Sequence, residues 1–287
     1  MENLSTQHLL YSIMQVAIKA GEIALKYHDS NSFTLKEDSS PLTQADLESN
    51  TFITQQLKIL SPYEVCSEEA VLEYEERKDL EYYWLIDPLD GTKDFLAQNG
   101  GWTINIALIN KNRPFLGVVY APYFYELYGA LKDFGSFSFT PKSLEEQIKT
   151  DMLSLEWLKS SKIKLNGDRV AQSEELIACD SMFHSTKETQ DFIQKYGLKV
   201  LKKGSSLKIC TLAKGEADFY PRLNGTKEWD TAASEIILEE AGGILLDCKT
   251  HKPLAYNKPN PQNNHFIAFA KSQVGGRIYQ DLFSNKL

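Results

Sequence analysis

The run Trp84-Leu85-Ile86-Asp87-Pro88-Leu89-Asp90-Gly91-Thr92 constrains this chain more than any other stretch. An apolar segment of strand type ends abruptly in two carboxylates three residues apart, and a Gly-Thr pair follows at once. Asp87 and Asp90 flank a proline turn, so both can reach one point just beyond the strand end. Carboxylate oxygens are the preferred ligands of Mg²⁺, which keeps several waters and takes substrate phosphate oxygens as well. Gly91 lets a phosphate approach the backbone, and the N–H groups of Gly91 and Thr92 would open a helix toward it. The segment reads as a metal site fused to a phosphate site.

An ordinary enzyme can be built from the remainder. The chain has 287 residues, 42% hydrophobic and 24% charged, enough for one large domain or two medium ones. Net charge is -8, without the basic patch of a nucleic-acid binder. An anionic substrate is still compatible with it, because bound Mg²⁺ would reverse the local sign. The four cysteines, Cys66, Cys179, Cys210 and Cys248, form no C-x-x-C pair, and the five histidines are scattered. Free buried thiols in a reducing cytoplasm are therefore expected, with neither zinc site nor disulfide framework. No signal peptide and no membrane span are read.

Apolar residues from Leu9 to Ala24 recur at helical spacing and predict a helix over 7–28. A short strand is expected at Phe33–Glu37 and a second helix at Gln44–Leu60. Trp102–Ile109, Phe115–Tyr120 and Glu126–Lys132 read as a run of antiparallel strands. Residues 137–172 are polar and weakly patterned, and read as a domain edge followed by a crossing. Beyond Leu176, strands at Leu176–Cys179 and Lys199–Leu201 alternate with helices at Thr186–Tyr196 and Ser206–Ala213, as in an α/β unit.

Three further segments join the opening motif: Pro41-Leu42-Thr43-Gln44-Ala45-Asp46, Cys66-Ser67-Glu68-Glu69, and Trp229-Asp230-Thr231-Ala232-Ala233 leading into Glu240-Ala241-Gly242-Gly243. Asp230 is placed as a helix N-cap. Taken singly, Asp-Pro-x-Asp-Gly is a common turn, Ser67-Glu68-Glu69 a solvated loop and Lys208 a surface lysine. Their order and combination favour a site. Together they resemble the inositol monophosphatase superfamily of Mg²⁺-dependent, lithium-sensitive phosphatases, whose signatures are W-[IVL]-[IVL]-D-P-[IL]-D-G-T and W-D-x-A-A followed by E-A-G-G. The similarity extends from residue 7 to about 270. Gly204-Ser205-Ser206-Leu207-Lys208 and Gly215-Glu216-Ala217-Asp218-Phe219-Tyr220-Pro221-Arg222, with Lys93-Asp94-Phe95, are similar to the CysQ-type 3'(2'),5'-bisphosphate nucleotidase branch. One departure is Ser181-Met182-Phe183-His184, where that branch often has Ser-Arg-Ser-His.

The resemblance implies a two-domain α/β (α+β) fold, a layered α/β/α/β/α sandwich. Residues 1–172 would form an α+β domain with a largely antiparallel sheet, and 173–287 an α/β domain. It implies Glu68, Asp87, Asp90, Asp230 and the Leu89 carbonyl as ligands of two or three Mg²⁺ ions. Gly91 and Thr92 would bind the scissile phosphate, with Asp46 and Thr92 paired beside the attacking water. Lys208, Arg222, Ser205 and Ser206 would hold a second phosphate and a nucleotide, with His184 near base or sugar and Glu69 behind the ligands. The expected reaction is in-line attack by Mg²⁺-bound water on adenosine 3',5'-bisphosphate or its 5'-phosphosulfate analogue, in a monomer or homodimer. Inositol, fructose and NADP phosphates are alternative substrates, and a silent phosphonucleotide-binding protein is the alternative class. Chemically, two metals would lower the pKa of a water and relieve crowded carboxylates of their mutual repulsion.

Overall fold

The helical spacing at the N-terminus produces α1 (Asn3–Leu25) in the computed structural model, which describes residues 3–28, 33–36, 41–169 and 175–283. The helix starts earlier and stops sooner than its apolar pattern suggests, with residues 26–28 in a turn. β1 (Thr34–Leu35) pairs antiparallel with β2 (Pro41–Leu42). The expected strand through Glu37 is thus shorter, and Glu37 itself lies outside the described residues. α2 (Gln44–Leu60) is capped by Thr43, whose N–H in turn donates to Asp46 Oδ2 at 2.7 Å.

The first sheet follows, with β3 (Val65–Ser67), α3 (Tyr74–Arg77), β4 (Tyr82–Asp90), α4 (Thr92–Leu96), β5 (Thr103–Asn110), β6 (Arg113–Ala121), β7 (Glu126–Leu131) and β8 (Gly135–Ser138). Then come α5 (Pro141–Lys149), α6 (Leu155–Ser161) and β9 (Ile163–Leu165). Its seven strands lie in chain order, antiparallel except for the parallel pair β3–β4. The weakly patterned stretch 137–172 therefore carries two helices and the last strand of the sheet, short elements whose period is hard to read. The expected domain boundary at 172 falls among residues 170–174, outside the described residues.

The second sheet is mixed, in the order β11-β10-β12-β14-β13. Its elements are β10 (Ile177–Ser181), α7 (Lys187–Tyr196), β11 (Lys199–Lys203), α8 (Leu207–Ala213), β12 (Phe219–Arg222), α9 (Glu228–Glu240), β13 (Ile244–Asp247), β14 (Phe266–Phe269) and α10 (Arg277–Phe283).

Side-chain alternation along β4 and β5 builds the layers. Trp84, Ile86, Ile104 and Ile106 face the cluster formed with α1 and α2. Tyr83, Leu85, Ala107 and Ile109 face the opposite way, into a cluster shared with α8, α9 and one face of the second sheet. α7 and α10 cover that sheet's other face through Phe192, Ile193, Ile278 and Phe283. The result is the five-layer α/β/α/β/α sandwich. Each buried side chain of this kind contributes roughly 1.5–3 kcal/mol.

Gly117 lets α9 lie directly on β6, since a Cβ there would stand 2.4 Å from the Ala233 carbonyl and 2.5 Å from Ile236 Cγ2. Gly117→Ala should destabilise the fold by about 1–3 kcal/mol through overpacking. A urea-denaturation midpoint unchanged from wild type would show that α9 can shift to make room.

Candidate active site

Backbone pairing starts the site. Ser67 lies opposite Ile86 in the parallel β3–β4 pair, and the Glu68 N–H donates to the Ile86 carbonyl at 3.1 Å. Glu68 thus emerges beside Asp87, and α9 brings Asp230 from the other side. Carboxylate oxygens of Glu68, Asp87 and Asp230 all lie within 4.8 Å of one another. Burial raises the Asp87 carboxyl well above its ordinary range, and Glu68, Asp90 and Asp230 add to the rise. Asp230 is raised likewise, by burial and then by Asp90 and Glu68. Trp84 and Trp229, next to these elements in sequence, are buried; Trp84 Nε1 donates to Ser61 Oγ at 2.7 Å.

Asp230 is not the N-cap of α9. Lys227 holds that place, and Asp230, three residues on, accepts the Lys227 N–H on Oδ2 at 2.8 Å. A carboxylate at the third helical position can do this from inside the first turn, which explains why the sequence pattern suggested a cap. Asp90 stands outside the trio. β4 carries an irregularity between Asp87 and Asp90, and Asp90 Oδ2 accepts from Ser205 Oγ and from Asn105 Nδ2 at 3.2 Å, with Ser206 Oγ 3.3 Å away. The Leu89 N–H donates to Asp87 Oδ1 at 3.0 Å, fixing that carboxylate.

Gly91 adopts a left-handed φ of 95° and caps α4, as the turn between strand and helix requires. Thr92 Oγ1 lies 3.5 Å from Asp46 Oδ1, to which it donates. Asp46 is 1% exposed, and burial raises its pKa despite the bonds from Thr43. Lys36 is a residue that pattern reading missed. Its Nζ lies 2.6 Å from both Glu68 Oε1 and Glu69 Oε1. Burial pulls its pKa down, but the two carboxylates reverse this and hold the ammonium charged. It directly follows β1 and is 32 positions from Glu68, so no spacing rule could link the two. Asn105, from β5, was missed for the same reason; it also donates to Ser206 Oγ at 3.0 Å.

The same cleft, of about 470 Å³, carries positive charge on its other wall, from Lys93, Lys208 and Arg222. Lys208 is 4% exposed, not a surface lysine. Burial and Arg222 lower its pKa to about 8, against the pull of Asp90 and Asp94. Its Nζ lies 5.4 Å from the Tyr220 ring centre. Arg222 ends β12, and its Nη2 donates to the Gly225 carbonyl at 3.2 Å. His184 lines the cleft beside them. Burial, Arg222, Lys93 and Lys208 push its pKa down to about 4, so the ring is neutral at pH 7. Met182 and Phe183, the departure noted in the sequence, are 50% and 47% exposed. Ser205 takes a left-handed φ of 47°, uncommon outside glycine. Ser206 Oγ donates to the Asp230 carbonyl at 2.8 Å, so this turn touches both Asp90 and Asp230.

The three acidic residues supply only hard oxygen donors, and their crowding adds to the burial that raises Asp87 and Asp230. That donor set fits a divalent cation such as Mg²⁺. Three cysteines are buried and Cys248 is half-buried, all as free thiols. No helix among the described residues is long and apolar enough to cross a membrane.

Fold and acidic cleft together define a class of phosphatases that is generally metal-dependent. The chain belongs to the inositol monophosphatase family, whose model matches residues 5–281. It is 38% identical over 240 residues to the 3'(2'),5'-bisphosphate nucleotidase CysQ of Buchnera aphidicola, covering 82% of this chain and 83% of that one. With the CysQ of Haemophilus influenzae it shares 35% identity over 266 residues, 91% of this chain and 92% of the relative. The crystal structure of CysQ from Bacteroides thetaiotaomicron superposes with a TM-score of 0.81 at 33% identity, covering 94% of this chain and 99% of that one. The Thermotoga maritima IMPase shares the fold at 21% identity, with a TM-score of 0.70 over 91% of this chain and 92% of its own.

Proposed function

We propose that this chain is a Mg²⁺-dependent 3'(2'),5'-bisphosphate nucleotidase. It hydrolyses the 3'-phosphate of adenosine 3',5'-bisphosphate to give AMP and phosphate, and accepts the 5'-phosphosulfate analogue. The observation that carries this reading is one cleft lined both by the Glu68, Asp87 and Asp230 carboxylates and by buried Lys208 and half-buried Arg222. A monophosphate needs only the first group, whereas a bisphosphate also uses the second. The names and 34–38% identity of the relatives support it.

Glu68, Asp87, Asp230 and Asp90, with the Leu89 carbonyl, would hold two or three Mg²⁺ ions. Bound Mg²⁺ lowers the pKa of a water and screens the phosphoryl oxygens. The chain's own groups do the rest. The N–H groups of Gly91 and Thr92, at the start of α4, bind the scissile phosphate. Asp46 accepts the Thr92 hydroxyl hydrogen, which turns the Thr92 lone pairs toward the attacking water. Water adds to phosphorus opposite the 3'-oxygen; the P–O3' bond breaks, its electron pair stays on O3', and one proton of the water ends on O3' to give AMP while the new P–O bond leaves with phosphate. Lys208 and Arg222 hold the 5'-phosphate. Neutral His184, with Ser205 and Ser206, lines the nucleoside side.

Phosphate release from adenosine 3',5'-bisphosphate and from inositol 1-phosphate, with and without Mg²⁺, tests this. The bisphosphate should be preferred and chelation should stop turnover. A preference for inositol 1-phosphate would move the assignment to the sugar-phosphatase branch. Tight binding without turnover would make the chain a binding protein.

A further inference from the structure

Arg77 and Glu228 are 3% and 1% exposed, and neither lines the cleft. Both hold one segment, the loop 254–263 between β13 and β14, while Arg77 Nε also donates to the Leu72 carbonyl at 3.2 Å. From the end of α3, Arg77 Nη1 donates to Asn257 Oδ1 at 2.8 Å and Nη2 to the Lys258 carbonyl at 2.7 Å. Asn257 Nδ2 returns a bond to the Arg77 carbonyl at 3.0 Å. Glu228, the first residue of α9, receives the Asn257 N–H on Oε2 and the Lys258 N–H on Oε1, each at 3.0 Å. Lys258 Nζ also lies 3.0 Å from Oε1. Asn257 has a φ of 61°, a left-handed conformation that asparagine tolerates better than most residues. The loop then ties down the rest of the first turn of α9. Asn263 Nδ2 donates to the Lys227 carbonyl at 2.8 Å and to Thr231 Oγ1 at 3.1 Å, and the Tyr256 hydroxyl, which donates to Glu235 Oε2, lies 3.1 Å from Thr231 Oγ1.

The network abuts the carboxylate trio through the first turn of α9 and reaches Glu68 only along the chain. Glu68 opens the segment that leads into α3, and Asp230 stands two residues after Glu228. The two carboxylates come from elements on opposite sides of the cleft, and like charge drives them apart. A fully satisfied buried network resists that force, because losing one member strands another buried charge. We propose that the loop 254–263, clamped by Arg77 and Glu228, holds Asp230 in register with Glu68 for metal binding. Arg77, Glu228 and Asn257 are then positioning residues that touch neither substrate nor metal. The proposal rests on the reading of the trio as a metal site.

Two variants test it. Asn257→Gly keeps the left-handed backbone and the N–H that Glu228 accepts, and removes the side-chain links to Arg77 and to the Lys78 carbonyl. Glu228→Gln keeps the shape and removes the charge. Mn²⁺ affinity of the substrate-free full chain is measured by calorimetry, beside thermal unfolding without metal. Each variant should bind Mn²⁺ roughly tenfold more weakly, at the low end of what groups supporting metal ligands contribute. KM for the bisphosphate at saturating Mg²⁺ should not change. A purely structural role would lower the unfolding temperature and leave Mn²⁺ affinity at the wild-type value, which overturns the proposal. Should Glu228→Gln fail to fold, Asn257→Gly decides alone. A wild type that binds no Mn²⁺ overturns the metal reading itself, and the clamp with it; wild-type affinity in folded variants overturns the clamp only.

Discussion

Asp87→Asn should remove almost all turnover while leaving the metal-free protein at least as stable as the wild type. The side chain is isosteric, and Asn Oδ1 can still accept the Leu89 N–H that Asp87 accepts at 3.0 Å. What disappears is a charge in a group of three carboxylates within 4.8 Å. Outer partners of metal ligands contribute 10–100-fold, so a ligand itself should exceed about a hundredfold in turnover. The stability half follows from linkage. The folded-state pKa of Asp87 lies above its unfolded value, because burial and then Glu68, Asp90 and Asp230 disfavour its charge. Such a group contributes stability that is full below the unfolded pKa and is lost as pH rises through the folded one. Metal-free wild type should therefore lose stability as pH climbs above the ordinary carboxylate range, and Asp87→Asn should lose less. Mg²⁺ should raise the wild-type unfolding temperature more at pH 8 than at pH 5, since its ligands must first release protons. Assays of Mg²⁺-saturated enzyme and thermal unfolding across pH check both halves. Near-wild-type turnover in the pure variant would remove Asp87 from the ligand set.

Lys208→Ala and Arg222→Ala should each depress kcat/KM for adenosine 3',5'-bisphosphate far more than for a monophosphate. Both cations line the cleft and neither belongs to the carboxylate trio. Arg222 can hold a phosphate through two parallel hydrogen bonds, and Lys208 offers a point charge. Charge-assisted bonds contribute roughly 1.5–3 kcal/mol each. That converts to roughly ten- to a hundredfold in selectivity, at about 1.4 kcal/mol per factor of ten. The structure adds a pH signature. Burial and the neighbouring Arg222 bring the Lys208 pKa down to about 8. Its charge is present below that pH and lost above it, and kcat/KM reports the free enzyme. The preference for the bisphosphate should decline as pH rises past 8 in wild type, should decline only at higher pH in Arg222→Ala, where the repulsion from Arg222 is gone, and should be flat in Lys208→Ala. Equal proportional losses on both substrates would mean that these side chains support the fold or the trio. The nucleotidase reading would then give way to a general sugar phosphatase.

The chemistry was legible wherever a motif was contiguous. Strand character ending in Asp87-Pro88-Leu89-Asp90-Gly91-Thr92 marked a strand and a helix start, and these are β4 and α4, but β4 runs on to Asp90 with an irregularity after Asp87 where the sequence suggested a proline turn, and the turn falls at Gly91. The same held for α2, whose bounds follow from the Thr43 cap and its apolar period. Glu68 and Asp230 were found by their own local motifs and the resemblance, and the structure brings them together with Asp87. Asp90 was read into the same set, but its Oδ2 faces Ser205, Ser206 and Asn105. Asn105 on β5 and the two serines of the turn between β11 and α8 set that environment, and no spacing along the chain encodes it.

Local sequence determined the elements, because periodicity and turn chemistry act between residues a few positions apart. It determined the donor types as well, since carboxylates are what they are in any fold. Only the tertiary structure decided which groups share a dielectric. It buried Lys208 and lowered its pKa to about 8. It placed Lys36, directly after β1, on Glu68 and Glu69, 32 and 33 positions away. It also joined Arg77 to Asn257 across 180 positions. Burial and long-range contact depend on the packing of whole layers against one another, and the order of residues along the chain carries no local signal for either.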